Sequence, residues 1–175
     1  EACRAMAEGV GRVCPDATIV SVPMADGGEG TADALAAATG GRMIETPATG
    51  PLGEARTGRF ALLGDGRTAV VEMAVVSGLP LVPPTSRNPL HTTTYGTGQL
   101  MAAAMAAGAD HLIVGIGGSA TTDLGAGMAQ ALGVRFLDHR GQAITEPMTG
   151  GLLADVAAVD LSGLRVLDVP ENGFT

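Results

Sequence analysis

The chemistry available to this sequence is concentrated in two glycine-rich stretches. In Gly115-Ile116-Gly117-Gly118-Ser119-Ala120-Thr121-Thr122-Asp123, glycines let a phosphate approach the backbone. Ser119, Thr121 and Thr122 supply hydroxyl donors or helix caps there, and Asp123 is a ligand for Mg2+ or an acceptor for a proton. A tight strand-to-helix turn capped by Thr122 or Asp123 accounts for the same residues. In Asp26-Gly27-Gly28-Glu29-Gly30-Thr31, Asp26 and Glu29 flank two glycines at the end of an expected strand, where open α/β sheets gather their ligands. Such a pair can hold Mg2+ or orient a hydroxyl; Glu29 and Thr31 also serve simply to start a helix. Both loops run from strand to helix, so each presents unpaired N–H groups and a positive dipole end. Two such loops facing one another would receive an anion such as phosphate or carboxylate.

Further polar groups precede a later helix. Arg87-Asn88-Pro89 and Thr92-Thr93-Thr94-Tyr95-Gly96-Thr97-Gly98 make Asn88, Thr93, Thr94 and Thr97 candidates for contact with a small anionic substrate, although capping and turn formation explain most of them. Arg67, beside an Asp65-Gly66 turn, is a candidate for the same anion or a solvated surface group. His91, His111 and His139 have no mutual spacing of a triad or metal site. Cys3 and Cys14 have no partner at metal-ligand spacing and fit a reducing, cytoplasmic setting. A competing pattern is present: Gly115 to Ala120 scans as Gly-x-Gly-x-x-Ala, with Asp138 ending the next strand near the spacing of a ribose-binding acid, as in a dinucleotide-binding oxidoreductase.

These residues need elements to position them. A helix with Ala2, Met6, Val10 and Val13 on its apolar side stops near Val13 before Pro15, and Ala17 to Val22 reads as a short buried strand. After the first loop a helix is expected over Ala32 to Ala38, closed by Thr39-Gly40-Gly41. Met43 to Thr46, Ala55 to Leu63 and Thr68 to Met73 read as antiparallel strands, the last two joined at Asp65-Gly66. A helix from Tyr95 to Ala107 and a strand over Asp110 to Gly115 lead into the second loop. A helix over Leu124 to Leu132 and a strand over Val134 to Leu137 then complete an expected βαβ unit. A last helix is expected near Leu152 to Ala158. The fold class is α/β.

Composition limits the use of these loops. The 175 residues are 46% hydrophobic and 16% charged, with 27 glycines, enough for a core built from Ala, Val, Leu, Ile and Met. All 10 positive residues are Arg, scattered against a net charge of -8, so no basic patch for nucleic acid is present. Without Lys there is no Walker A loop, which leaves backbone N–H groups, Arg or a metal to hold a nucleotide. Apolar stretches are too short to span a membrane, and neither a membrane partner nor export is expected.

Several uncommon strings then resemble one family in series. Val22-Pro23-Met24-Ala25-Asp26-Gly27-Gly28-Glu29-Gly30-Thr31 resembles the first signature of the bacterial glycerate kinase family, and Gly115 to Met128 its second. Between them Thr49-Gly50-Pro51-Leu52-Gly53, Val71-Glu72-Met73-Ala74, Arg87-Asn88-Pro89-Leu90 and Thr93-Thr94-Tyr95-Gly96-Thr97-Gly98 are similar to the family in the same order. Two positions depart from its usual pattern: Thr122 stands in place of Asn and Leu124 in place of Gly.

The resemblance, to the glycerate 2-kinase type, implies a two-domain α/β arrangement: a partial Rossmann-like domain, here residues 1–48, plus an inserted mixed α/β domain, here residues 49–175, with the active site between them. It implies ATP and Mg2+ as cofactors and D-glycerate as substrate. A glycerate hydroxyl would attack the γ-phosphate in line, with catalysis coming mostly from positioning and charge neutralisation, and 2-phosphoglycerate is the favoured product. On that basis Asp26 or Asp123 holds Mg2+ or takes the hydroxyl proton. Gly27, Gly28 and Glu29, with Gly117, Gly118, Ser119 and Thr121, bind the nucleotide, and Arg67, Asn88, Thr93, Thr94 and Thr97 orient glycerate. The family's opening strand with its Asp-Ser-Phe-Lys loop would precede Glu1, and a C-terminal return to the first domain would follow Thr175. The chain therefore reads as a fragment with reduced or no turnover of its own. A dinucleotide-binding fragment and a folded non-catalytic module stay as alternatives.

Overall fold

The computed structural model describes residues 2–20, 24 and 26–165; Val22, Pro23 and Ala25 of the first signature and the last ten residues lie outside that range. Helix α1 (Ala2–Val13) carries an Arg4–Glu8 pair one turn apart at 3.8 Å and ends before Pro15, where proline's missing N–H stops helical bonding. Residues 17–20 form no strand, and Ile19 and Val20 are exposed. The strand expected there therefore fails over its described part: β propensity needs a neighbouring ladder, and no described strand pairs with it.

Helix α2 (Thr31–Thr39) is nearly all Ala and Thr and stops where Gly40 turns left-handed (φ 69°), its N–H and that of Gly41 both reaching the Ala36 carbonyl. Three strands follow, β1 (Arg42–Thr49), β2 (Ala55–Leu62) and β3 (Thr68–Glu72), antiparallel in sequence order. Asp65 builds the β2–β3 turn, accepting from the N–H groups of Arg67 and Thr68 at 2.9 Å each and from the Thr68 hydroxyl at 2.6 Å. The chain leaves β3 through the short helix α3 (Met73–Ser77) and two single-turn helical segments. It then makes helix α4 (Tyr95–Ala106) and returns as β4 (His111–Gly115), parallel to β3. The sheet order is β1-β2-β3-β4.

Alternation along the strands sorts the core to the two sheet faces. Phe60, Leu62, Ala69 and Val71 pack with Val76, Leu100 and Ala104 from α3 and α4. Ala61 and Val70 pack on the other face with Ala32 and Ala36 of α2. Leu100 is fully buried, a side chain whose burial contributes ~1.5–3 kcal/mol, so α4 is well anchored beneath the loop that precedes it. The expected boundary between residues 48 and 49 falls inside β1, all of whose residues pair with β2. Since α2 also packs on this sheet, residues 31–48 share its core.

Helix α5 (Ala126–Ala131) begins two residues later than expected, after Gly125 in a left-handed conformation. It packs on α4 through glycines: a Cβ on Gly127 would lie 2.7 Å from the Tyr95 nitrogen. Beyond it, β5 (Arg135–Leu137) pairs antiparallel with β6 (Ala158–Asp160) in a separate two-stranded sheet. The expected βαβ unit of β4, α5 and β5 is therefore not formed; the parallel crossover in this fold is β3 to β4, through α3 and α4. Similarly, the helix expected over Leu152 to Ala158 is a single 3-10 turn, Leu152–Asp155, followed by β6.

Candidate active site

Strands β3 and β4 end level with one another, Glu72 opposite Gly115, and both glycine loops meet just beyond them. The Gly117 N–H donates to the Gly27 carbonyl at 3.0 Å. A Cβ on Gly115 would lie 2.6 Å from that oxygen, and one on Gly117 2.9 Å from the Gly28 Cα. Glycine at these two positions is thus required by the approach of one loop to the other. Three further bonds pin the second loop: Leu79 N–H to the Gly118 carbonyl (2.8 Å), Ala120 N–H to the Ser77 carbonyl (2.8 Å) and the Thr92 hydroxyl to the Ala120 carbonyl (3.0 Å). Among the described residues nothing accepts from the N–H groups of Gly118 and Ser119, so the middle of the loop keeps donors for an anion.

Asp123 does a different job from the one its type suggests. It is buried, and its Oδ2 accepts from the Thr94 N–H and hydroxyl (both 2.8 Å) and the Gly127 N–H (3.2 Å), while Oδ1 accepts from the Gly125 N–H (3.1 Å). Its carboxylate is a clamp between the start of α4 and the start of α5. Both of its oxygens are engaged in these bonds. Asp26 is exposed and, among the described residues, uses only Oδ1, which accepts from the Gly28 N–H at 2.9 Å. Glu29 is exposed beside it. Thr31 closes the first loop, its hydroxyl accepting from Gly27 N–H (3.1 Å) and donating to the Gly28 carbonyl (2.8 Å).

Among the described residues no three His, Cys, Asp or Glu side chains group to hold a metal. Of the two candidate carboxylates, Asp26 is exposed and Asp123 is buried.

The structure disperses several other candidates. Arg67 lies at the opposite end of β3, hydrogen-bonded to Asp110, whose carboxyl is held below its ordinary range by Arg67 first and His111 second. A full strand separates Arg67 from the loops, so it does not orient a substrate there. Asn88 folds its own turn, its side-chain oxygen accepting from Leu90 N–H at 3.0 Å. Thr93, Thr94 and Thr97 are buried. Thr93 Oγ1 accepts from Tyr95 N–H, Thr94 bonds to Asp123 and Met128 N–H, and Thr97 Oγ1 meets Ser77 Oγ at 3.0 Å. Their hydroxyls hold the loop in place. Asp138 follows β5, away from the four-stranded sheet, and accepts from Arg140 and Gln142 N–H within a turn, so the dinucleotide pattern lacks its acid.

Two cavities flank the joined loops. One, of about 570 Å3, is mainly apolar, with Met73, Met101 and Met128 among its walls and Ser119, Thr121 and Asp123 at its polar edge. The other, of about 270 Å3, is lined by Glu29, Arg56, Arg59, Ala74 and Leu81 among others. Two charged residues absent from the sequence-based candidates stand here. Glu72, buried at the end of β3, accepts from the Ala32 N–H at 2.6 Å and so places a carboxylate at the N-terminus of α2. The other is Arg56, whose Nε is buried without a partner.

Residues 1–168 match the model of the Glycerate kinase family. The chain belongs to the glycerate kinase family. It is 56% identical over 164 residues to a glycerate kinase of Bacillus subtilis (strain 168), covering 94% of this chain and 42% of that protein. It is 49% identical over 164 residues to a glycerate 2-kinase of Escherichia coli (strain K12), again covering 94% and 42%. A crystal structure from Salmonella typhimurium LT2, "putative glycerate kinase 2", superposes with a TM-score of 0.79 at 48% identity over 92% of this chain and 43% of that one. The chain thus spans less than half the length of the relatives it matches.

Within the family's second signature, the departure at Leu124 acquires a physical reading. Leu124 is the one non-glycine residue with positive φ (55°) among the described residues, and it is 90% exposed. The backbone there still has the conformation that a glycine would adopt without strain. Glu72, which lies in one of the strings that resemble the family but was given no role, carried a legible signal: a carboxylate beside a run of core residues.

Proposed function

We propose that the protein to which this chain belongs transfers the terminal phosphoryl group of Mg2+-ATP to a hydroxyl of D-glycerate, with 2-phosphoglycerate as product. The observation that carries this reading is the meeting of the two glycine loops, Gly117 N–H on the Gly27 carbonyl at 3.0 Å, between an apolar cavity and a cavity containing arginine. An adenine base suits the first, a small acid the second, and the phosphates fall between them on the N–H groups of Gly118 and Ser119. The hydroxyl oxygen forms a bond to the γ-phosphorus as the bond to the β,γ-bridging oxygen breaks, and the hydroxyl proton leaves to a base or solvent.

Asp26 is the carboxylate free to hold Mg2+ or to accept that proton, and Glu29 stands beside it. Mg2+, when bound, neutralises phosphate charge. Asp123 acts through the loops it clamps. Preference for the 2-hydroxyl rests on the glycerate 2-kinase relative. A cytoplasmic setting follows from this reading, since ATP is supplied there and Cys3 and Cys14 stay reduced.

Calorimetric titration with D-glycerate, Mg2+-ATP and NAD tests the proposal. Saturable binding of glycerate and ATP without NAD is the expected result. Binding of NAD alone overturns it, and a folded protein that binds none of the three is the non-catalytic module.

A further inference from the structure

We infer that Arg56 receives the substrate's carboxylate, in the cavity between the first glycine loop and α3; the inference rests on the kinase reading above. Arg56 lies on β2, antiparallel to β3. Extending their register past Ala61–Val70 sets Arg59 level with Glu72 and Arg56 level with Val75 in α3. Arg56 therefore stands beyond the C-terminal end of β3, on the same side of the sheet as both glycine loops, and the far end is left to Arg67.

The cavity meets the first loop directly and the second through a neighbouring residue. Glu29 brings the first loop to its wall, and Ala74 brings the second, because a Cβ on Gly118 would lie 3.3 Å from the Ala74 Cβ. Pro80 and Leu81 complete the wall just after Leu79, which is bonded to the Gly118 carbonyl. Its volume of about 270 Å3 is several times the ~30 Å3 share of one water, enough for a three-carbon acid.

The arginines lining this cavity are unequal. Arg59 is committed to Asp33 through two bonds, 3.0 and 2.7 Å. Among the described residues Arg56 has only Glu54 within ion-pair reach, at 3.7 Å from Nη1, too long for a hydrogen bond. Its Nε is the single buried side-chain polar atom without a partner among the described residues. Nε is closed to solvent, so a ligand reaches Arg56 through its two Nη groups, whose planar fork matches a carboxylate's two oxygens. Glu29 and Glu45 also line the cavity. They oppose a second negative charge and offer acceptors to hydroxyls, which selects a hydroxylated monocarboxylate.

The test is calorimetric titration of D-glycerate into the unmodified chain, Arg56→Met and Arg56→Lys, with Mg2+-ATP as the control for an intact site and glycerol as the ligand lacking a carboxylate. The expected outcome is a loss of glycerate affinity of about 10- to 100-fold in Arg56→Met, a smaller loss in Arg56→Lys, unchanged Mg2+-ATP affinity, and no binding of glycerol. A measurement that needs no unfolding-prone variant accompanies it: the Arg56 Nε–H signal in a 15N–1H spectrum of the unmodified chain moves as glycerate saturates. Arg56→Met binding glycerate like the unmodified chain, or arginine Nε signals that stay still at saturation, would overturn the inference and leave the kinase reading standing. Mg2+-ATP binding without glycerate binding overturns the inference as well, and an unmodified chain that binds neither overturns both.

Discussion

Leu124 and Asp123 are adjacent and answer to opposite forces. Leu124 holds φ 55° while 90% exposed, so its side chain contributes no packing to offset a left-handed backbone that costs an L residue roughly 1–2 kcal/mol. Leu124→Gly relieves that strain but adds freedom to the unfolded chain. We expect a net gain of about 0.5–1 kcal/mol, read as a higher urea midpoint at unchanged slope; a lower midpoint would mean that Leu124 is held by a contact. Asp123 accepts four hydrogen bonds in a buried site. Asp123→Ala strands the Thr94 and Gly127 N–H groups and should cost about 3 kcal/mol. A cost below ~1 kcal/mol on the same urea melt would contradict the clamp.

Between elements, the decisive contacts are made at helix starts. Glu72 reaches from the end of β3 to the Ala32 N–H at 2.6 Å, joining a carboxylate to the positive end of α2. Glu72→Gln keeps an acceptor and loses the charge, so α2 should weaken by about 1 kcal/mol. Hydrogen exchange would show this as faster exchange of α2 amides, with those of α4 unaffected; equal acceleration in both would point to global destabilisation. The loop junction makes a second prediction at this scale. A Cβ on Gly117 would lie 2.9 Å from the Gly28 Cα and 3.0 Å from the Gly27 carbonyl, so Gly117→Ala must part the loops. Its Mg2+-ATP affinity, measured by calorimetry, should fall several-fold while its melting temperature changes little. Unchanged affinity would show that the anion site does not need the junction.

Across the whole molecule, the ends of the sheet differ, with the glycine loops at one and a charged turn at the other. Asp65 in that turn is held down from 3.8 to about 2, chiefly by the Thr68 hydroxyl and then by the N–H groups of Thr68 and Arg67. Asp110 is lowered by Arg67. A depressed carboxyl contributes stability that is complete above its unfolded value, near 4, and is lost as pH falls through the folded value. The melting temperature should therefore drop between pH 4 and 2, and by less in Asp65→Asn, which starts lower at neutral pH; parallel curves would remove Asp65 as a cause. The division between the two ends also explains what was legible beforehand. Helices α2 and α4, the β1–β3 meander and both glycine loops could be read from local patterns, because Ala runs, alternation and a Gly after a helix act within a few residues. The pairing of β5 with β6 could not, since strand neighbours are chosen by distant segments. The same limit applied to the site. Residue types by themselves determined that this protein has two glycine loops and the series of strings that marks its family. Only the tertiary structure decided that Asp123 is buried as a clamp, that Arg67 faces away, and that Arg56 and Glu72 stand beside the loops, because burial and hydrogen-bond partners belong to the packed chain and not to any short stretch of it.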